Sequence, residues 1–164
     1  GFHPDNLEKL MSSCGDTEIM PPVFDAVLEI LKSIKYDLSG EHVCIVSNSD
    51  IFGKGLAKAL ECQGAQVEVV SAGDDELVEK TKKADLLITA IGKPRLIKRE
   101  MAKDGAVVID IGIAKEGDKI LGDVDFSDVA DKTSFITPVP GGIGPLTIAC
   151  ALKNTLELYK RRHK

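Results

Sequence analysis

Apolar residues recur at Val23, Ala26, Val27, Ile30, Leu31 and Ile34, the i, i+3, i+4, i+7 spacing of a helix with one face on a core. Pro21-Pro22 opens that helix, and a short segment around Leu7 to Met11 precedes it. Beyond it the pattern changes. Short apolar runs at His42 to Ser47, Gln66 to Val70, Asp85 to Thr89, Ala106 to Asp110 and Ser134 to Thr137 predict strands. Val43-Cys44-Ile45-Val46, Leu86-Leu87-Ile88 and Val107-Val108-Ile109 do not alternate with polar residues, so these strands fit a sheet covered on both faces. Between them the pattern predicts helices near Gly53 to Cys62, Asp75 to Lys82 and Arg95 to Met101. A last amphipathic helix carries Leu146, Ala149, Leu152 and Leu156. Strands alternating with helices across short joints specify βαβ units, and right-handed crossovers make the fold α/β, a Rossmann-like doubly wound parallel sheet. One segment departs from this: Gly112 to Val124 places an acidic, Gly-containing turn between apolar flanks and predicts a small hairpin.

Composition narrows the class. With 164 residues and 43% hydrophobic content, residues 1–164 make one ordinary globular domain. The net charge of −5 argues against a nucleic-acid or anionic-membrane partner, and the basic run from Lys160 to Lys164 reads as a solvated helix end. Cys14, Cys44, Cys62 and Cys150 form no CxxC pair and have no metal-ligand spacing. Cys44 and Cys150 fall inside apolar periods as small hydrophobes. The cysteines therefore point to free thiols in a reducing, cytoplasmic setting, with no metal expected. No apolar run approaches the roughly 20 residues of a membrane span, and Gly1-Phe2-His3-Pro4 shows no leader, so a soluble, untargeted chain is expected.

The candidate chemistry lies in loops. Between Pro138 and Pro145 stand three Pro and three Gly, too many for a helix or strand interior, so this is a shaped loop between a strand end and a helix start. Ligands bind at that place in open α/β sheets. The turn after the first strand, Ser47-Asn48-Ser49-Asp50-Ile51-Phe52-Gly53-Lys54-Gly55, occupies the nucleotide-binding position without being G-x-G-x-x-G. Asp74 lies where a carboxylate can hold a ribose 2′-hydroxyl, though the reading that Asp74 or Asp75 simply caps the next helix is the stronger one. Thr89 to Pro94 and Asp110 to Ile113 end two further strands with glycines that let a flat ring approach the backbone.

Thr137-Pro138-Val139-Pro140-Gly141-Gly142-Ile143-Gly144-Pro145-Leu146-Thr147, followed by Ala149 and Asn154-Thr155, resembles the carboxyl-terminal signature of the methylenetetrahydrofolate dehydrogenase/cyclohydrolase family. The resemblance implies an NAD(P)-binding domain whose dinucleotide contacts Ser47, Asn48, Ser49, Ala72, Gly92, Ile113, Gly144 and Thr147. The family's Gly-Arg-Ser-like triplet corresponds to Ser47, Asn48 and Ser49. Gly53-Lys54 match its next segment, where Gly55 replaces a Pro, and Ser71 and Ala72 fill slots of its His-Ser-x-Thr segment. Family resemblance favours NADP. Asn48, standing where the family carries a phosphate-binding Arg, together with Asp74 and Asp75, favours NAD.

The implied chemistry is hydride transfer from 5,10-methylenetetrahydrofolate to NAD(P)+, with methenyltetrahydrofolate cyclohydrolase activity in the full enzyme. It relies on a Tyr, a Lys and an Asp of an amino-terminal folate domain. The resemblance covers nearly all of this chain but only the latter half of the family's length, with residues 1–35 including the linker and first helix that join the two domains. None of Tyr36, Tyr159, His3, His42 and His163 stands beside a base in a binding loop, so no catalytic residue is assigned here. Pro21 to Ala26 corresponds to the family's Pro-Cys-Thr-Pro loop without its Thr. The partners implied are a dinucleotide and a folate shared with the amino-terminal domain, and a homodimer is compatible with both. The alternative is a non-catalytic dinucleotide-binding or regulatory module, for which the altered Asn48, Ala72 and Phe24 positions speak. A native start near Gly1 would favour that alternative.

Overall fold

Five parallel strands form one sheet in the order β2-β1-β3-β4-β7. They are β1 (His42–Ser47), β2 (Gln66–Val70), β3 (Leu86–Ala90), β4 (Val107–Asp110) and β7 (Phe135–Ile136). The structure, a computed structural model, describes residues 2–14 and 19–163. Gly1 and Lys164, the ends noted above, lie outside the described residues. In register, Val43 to Val46 face Val67 to Val70 on one side and Leu86 to Thr89 on the other.

Side chains alternate across a strand. Val43, Ile45, Leu86, Ile88, Val107 and Ile109 pack on one face, under α2 (Pro22–Ser33), α3 (Asp50–Glu61) and α6 (Ile143–Arg162). Cys44, Val46, Leu87 and Val108 pack on the other, against Leu77, Ile97, Met101 and Val129. Both faces are covered at the centre of the sheet, so β1, β3 and β4 carry continuous apolar runs, whereas the edge strand β2 keeps Gln66 and Glu68. α1 (Pro4–Ser12) sends Leu10 into the first core, and α4 (Leu77–Thr81) and α5 (Phe126–Val129) cover the second face. The expected hairpin is present as β5 (Ala114–Glu116) and β6 (Lys119–Leu121), paired antiparallel.

Three expectations are corrected. The helix expected over Arg95 to Met101 shrinks to a 3₁₀ turn at Arg99–Met101. Ile97 donates its N–H to the Asp123 carbonyl at 2.9 Å and accepts from Asp125 N at 2.9 Å, and this pairing outweighs local helix propensity. On α6 the core-facing residues are Ile143, Cys150 and Asn154, while Ala149, Leu152 and Leu156 are exposed and only Leu146 is partly buried. The helix meets the domain along a narrow line against α2, anchored where Asn154 donates to the Met20 carbonyl at 2.8 Å. Finally, Cys14 and Cys62 are bonded, against the expectation of free thiols there. Packing of α1 on α3 brings together two residues that are 48 apart in sequence, an approach that spacing alone does not reveal. Cys44 and Cys150 are buried and free, as expected.

Phe24, fully buried, stacks edge-on against Phe2 and Phe52, each at 5.4 Å between ring centroids. A Cβ on Gly55 would come within 3.0 Å of the Phe24 ring. Two departures from the family's sequence pattern thus touch each other in the core. Among the described residues, no helix is long and apolar enough to cross a membrane.

Candidate functional site

From β1 the chain passes to β2 on one side and then crosses back to β3 on the other, so the strand order reverses at the carboxyl end of β1. Such a switch point opens a crevice in an α/β sheet. At its floor the Ser47 hydroxyl accepts from Ser49 N at 3.1 Å, shaping the turn. Ser49 then caps α3, its hydroxyl accepting from Phe52 N at 3.3 Å. The first N–H groups of a helix have no partner within it and carry the positive end of its dipole, so this turn suits an anion. Gly53 lets α3 lie close to the sheet: a Cβ there would approach Val69 Cγ1 to 2.7 Å. Asn48 bridges to the end of β2, its Oδ1 accepting from Ala72 N at 3.1 Å.

On the other side of the switch point lies an apolar cavity of about 320 Å³. Its walls are Ile113 after β4, Ile120 on the hairpin, the Pro138 to Pro145 loop and Ile148 on α6. The loop holds a cis Val139-Pro140 bond and Gly141 at φ +102°, and a Cβ on Gly142 would overlap the Pro138 carbonyl. Gly144, in contrast, has open space where a side chain would project. Gly92 stands at φ +74° after β3, where an added Cβ would meet the Ile113 carbonyl at 3.9 Å.

Beneath this cavity two carboxylates are buried. Asp110, at the end of β4, accepts on Oδ1 from Gly112 N (3.0 Å), Asp123 N (3.1 Å) and Thr89 Oγ1 (3.1 Å), and on Oδ2 from Val124 N (2.9 Å). Its own N–H donates to Thr137 Oγ1 at 2.8 Å. Asp123 accepts from Ile91 N at 2.7 Å and Lys93 N at 2.8 Å. Burial pushes the Asp110 carboxyl from 3.8 up to about 6, against the pull of the Val124 and Asp123 N–H groups. Burial raises Asp123 as well.

A carboxyl raised in this way binds more proton folded than unfolded. Its contribution to stability is full below the unfolded value of 3.8 and is lost as pH rises through about 6. At 1.36 kcal/mol per unit, the stability of the wild type relative to Asp110→Asn is expected to fall by about 2 kcal/mol between pH 4 and 7. Urea unfolding at a series of pH values measures this, and a constant difference would refute it.

Residues 21–163 match the family model described as tetrahydrofolate dehydrogenase/cyclohydrolase, NAD(P)-binding domain. The chain belongs to this family. The bifunctional protein FolD of Hydrogenobaculum is 48% identical over 162 residues, covering 99% of this chain and 58% of that protein. The structure of FolD from Campylobacter jejuni superposes with a TM-score of 0.92 at 41% identity, covering 98% of this chain and 57% of that one. The Trypanosoma brucei FolD, solved with NADP cofactor and an inhibitor, superposes with a TM-score of 0.93 at 32% identity, covering 99% and 58%. The chain therefore spans a little over half the length of the relatives it matches.

Within the NAD(P)-binding domain of the tetrahydrofolate dehydrogenase/cyclohydrolase family, the candidate residues gather at one edge. Ser47, Asn48, Ser49, Ala72, Gly92 and Ile113 follow the carboxyl ends of parallel strands, and Gly144 and Thr147 lie on the first turns of α6. Asn48 and Ala72 touch, and Ile113 and Gly144 line one cavity. The Thr147 hydroxyl donates to the Ile143 carbonyl at 2.9 Å, so it is engaged within its own helix. Asp74 serves the start of the next helix: Oδ1 accepts from Glu76 N and Oδ2 from Lys80 Nζ, both at 2.8 Å. Tyr36 precedes β1, at the opposite end of the sheet from the crevice, and bonds Glu41 at 2.6 Å. Tyr159 is exposed and stacks on His163. Sequence reasoning missed Asp123 and gave Asp110 no role. Their sequence signal, an acid one or two residues from a glycine, is shared with ordinary turns.

Proposed function

We propose that this chain binds NAD(P) across the carboxyl ends of β1 to β4, as part of a methylenetetrahydrofolate dehydrogenase/cyclohydrolase. The observation that carries this reading is the continuity of the site across the switch point. A helix start suited to an anion lies on one side, and an apolar, glycine-walled cavity suited to a nicotinamide ring lies on the other. The adenosine half lies over β2 beside Asn48 and Ala72, the pyrophosphate at the start of α3, and the nicotinamide over β3 and β4 beside Gly92, Ile113 and Gly144.

Between the two cofactors we propose NAD. Asn48 offers no charge to a 2′-phosphate, Lys54 is paired with Asp50 at 2.8 Å, and Lys80 is held by Asp74. The folate substrate, an amino-terminal domain that residues 1–35 connect to, and a homodimer belong to the same proposal. So does a cytoplasmic location. That location rests on the family, since a Cys14–Cys62 bond is a link that reducing compartments disfavour.

Titration of the purified chain with NAD+ and NADP+ by calorimetry is expected to show binding of both, tighter for NAD+. No binding of either would refute the dinucleotide reading. The same polypeptide is expected to give no methylenetetrahydrofolate-dependent absorbance at 340 nm, because among the described residues no Tyr or His is placed in the crevice as an acid or base and no Lys there stands beside a base. A binding site without a proton-transfer group gives affinity without turnover.

A further inference from the structure

The two buried acids neither reach the crevice nor complete a core. They cross between loops instead. Asp110 ends β4 and its carboxylate sits against Gly122, while Asp123 follows β6 and its carboxylate sits against Gly112. Each acid occupies the place that a Cβ on the other loop's glycine would take. Through them one hydrogen-bonded path runs from Thr137, at the base of the Pro138 to Pro145 loop, to Asp110, then to the N–H of Asp123, and from the Asp123 carboxylate to Ile91 and Lys93.

The N–H groups of Ile91 and Lys93 converge on one carboxylate, the concave arrangement in which a backbone binds an anion. That anion is supplied by the chain itself. Residues 91–94 therefore cannot turn these N–H groups toward a pyrophosphate, and Gly92 is held at its positive φ with its outer side exposed. A loop fixed before the ligand arrives needs no ordering when it binds.

We propose that Asp123, supported by Asp110, is a positioning residue for dinucleotide binding. It holds residues 91–94 in the shape that receives the nicotinamide half. This rests on the dinucleotide reading above. An Asn at 123 has the same size but turns an NH₂ group toward one of the two backbone donors, which releases the loop from one side.

The test uses the 164-residue chain, with NAD+ as the whole ligand and 5′-AMP as its adenosine half. Asp123→Asn is expected to lose tenfold or more in NAD+ affinity by calorimetry, while 5′-AMP affinity stays within twofold. Unchanged NAD+ affinity, or an equal loss for both ligands, overturns the proposal. Wild type that binds neither ligand overturns the dinucleotide reading instead.

Amide hydrogen exchange of the wild type supplies a measurement that does not depend on the variant folding. The Ile91 and Lys93 amides are expected to be protected without ligand and to change less than threefold on adding NAD+. Free exchange until NAD+ is added would show that the ligand, not Asp123, orders the loop.

Discussion

Gly122→Ala is expected to destabilise the fold by at least about 3 kcal/mol, and Gly112→Ala by a similar amount. A Cβ at Gly122 would overlap Oδ2 of Asp110 and stand 2.8 Å from Val139 Cγ2, and one at Gly112 would overlap the Asp123 carboxylate. Neither carboxylate can swing aside cheaply. Displacing Asp110 breaks bonds to three backbone N–H groups, and displacing Asp123 breaks two. Hydrogen bonds to a charged acceptor contribute about 1.5–3 kcal/mol each, and overpacking itself adds about 1–3 kcal/mol. For a domain of this size the loss corresponds to a melting temperature lower by about 6–12 °C. Gly144→Ala is the matched control: nothing lies within 4 Å of the added Cβ, and the position is helical, where Ala is the better residue by up to about 1 kcal/mol. Thermal unfolding of the three variants separates the outcomes. A Gly122→Ala protein as stable as Gly144→Ala would show that the crossed carboxylates are not tightly held.

What the sequence disclosed follows from which interactions are local. β1 is read to the residue because a strand covered on both faces leaves a continuous apolar run between turn residues, and the edge strand β2 because its β-branched Val67, Val69 and Val70 stand between turn residues. The hairpin is legible as a span, Gly112 to Val124, from its acidic turn around Gly117, though not in the bounds of its two strands. α6 was found, but its buried face was not. Ile148, Leu152 and Leu156 make a stripe as regular as the one through Ile143, Cys150 and Asn154, and periodicity cannot say which stripe meets α2. The site shows the same division. Loops rich in glycine and proline announce themselves, whereas the polar path through Thr89, Asp110, Thr137 and Asp123 joins residues from two strand ends and two loops and has no local pattern. By sequence, Phe24 stands among the altered positions, in the segment that corresponds to the family's Pro-Cys-Thr-Pro loop. In the structure it is a core residue whose ring rests on the space left by Gly55.

Asn48→Arg is expected to raise NADP+ affinity ten- to a hundredfold while changing NAD+ affinity little. Asn48 reaches from the end of β1 to the Ala72 N–H at the end of β2, which places it beside the adenosine ribose in the proposed binding mode. A guanidinium there gains bidentate contact with a 2′-phosphate, a charge-assisted interaction of about 1.5–3 kcal/mol, or roughly ten- to a hundredfold. The neighbouring cations do not supply it: Lys54 is paired along its own helix with Asp50, and Lys80 is shared between Asp74 and Glu76. The change gives up the side-chain bond to Ala72 N, a neutral hydrogen bond at an exposed position, so its cost is small beside the gain. The ratio of NADP+ to NAD+ dissociation constants, measured by calorimetry in wild type and variant at one ionic strength, reports the effect. An unchanged ratio would place the ribose away from Asn48 and remove the physical ground for preferring NAD.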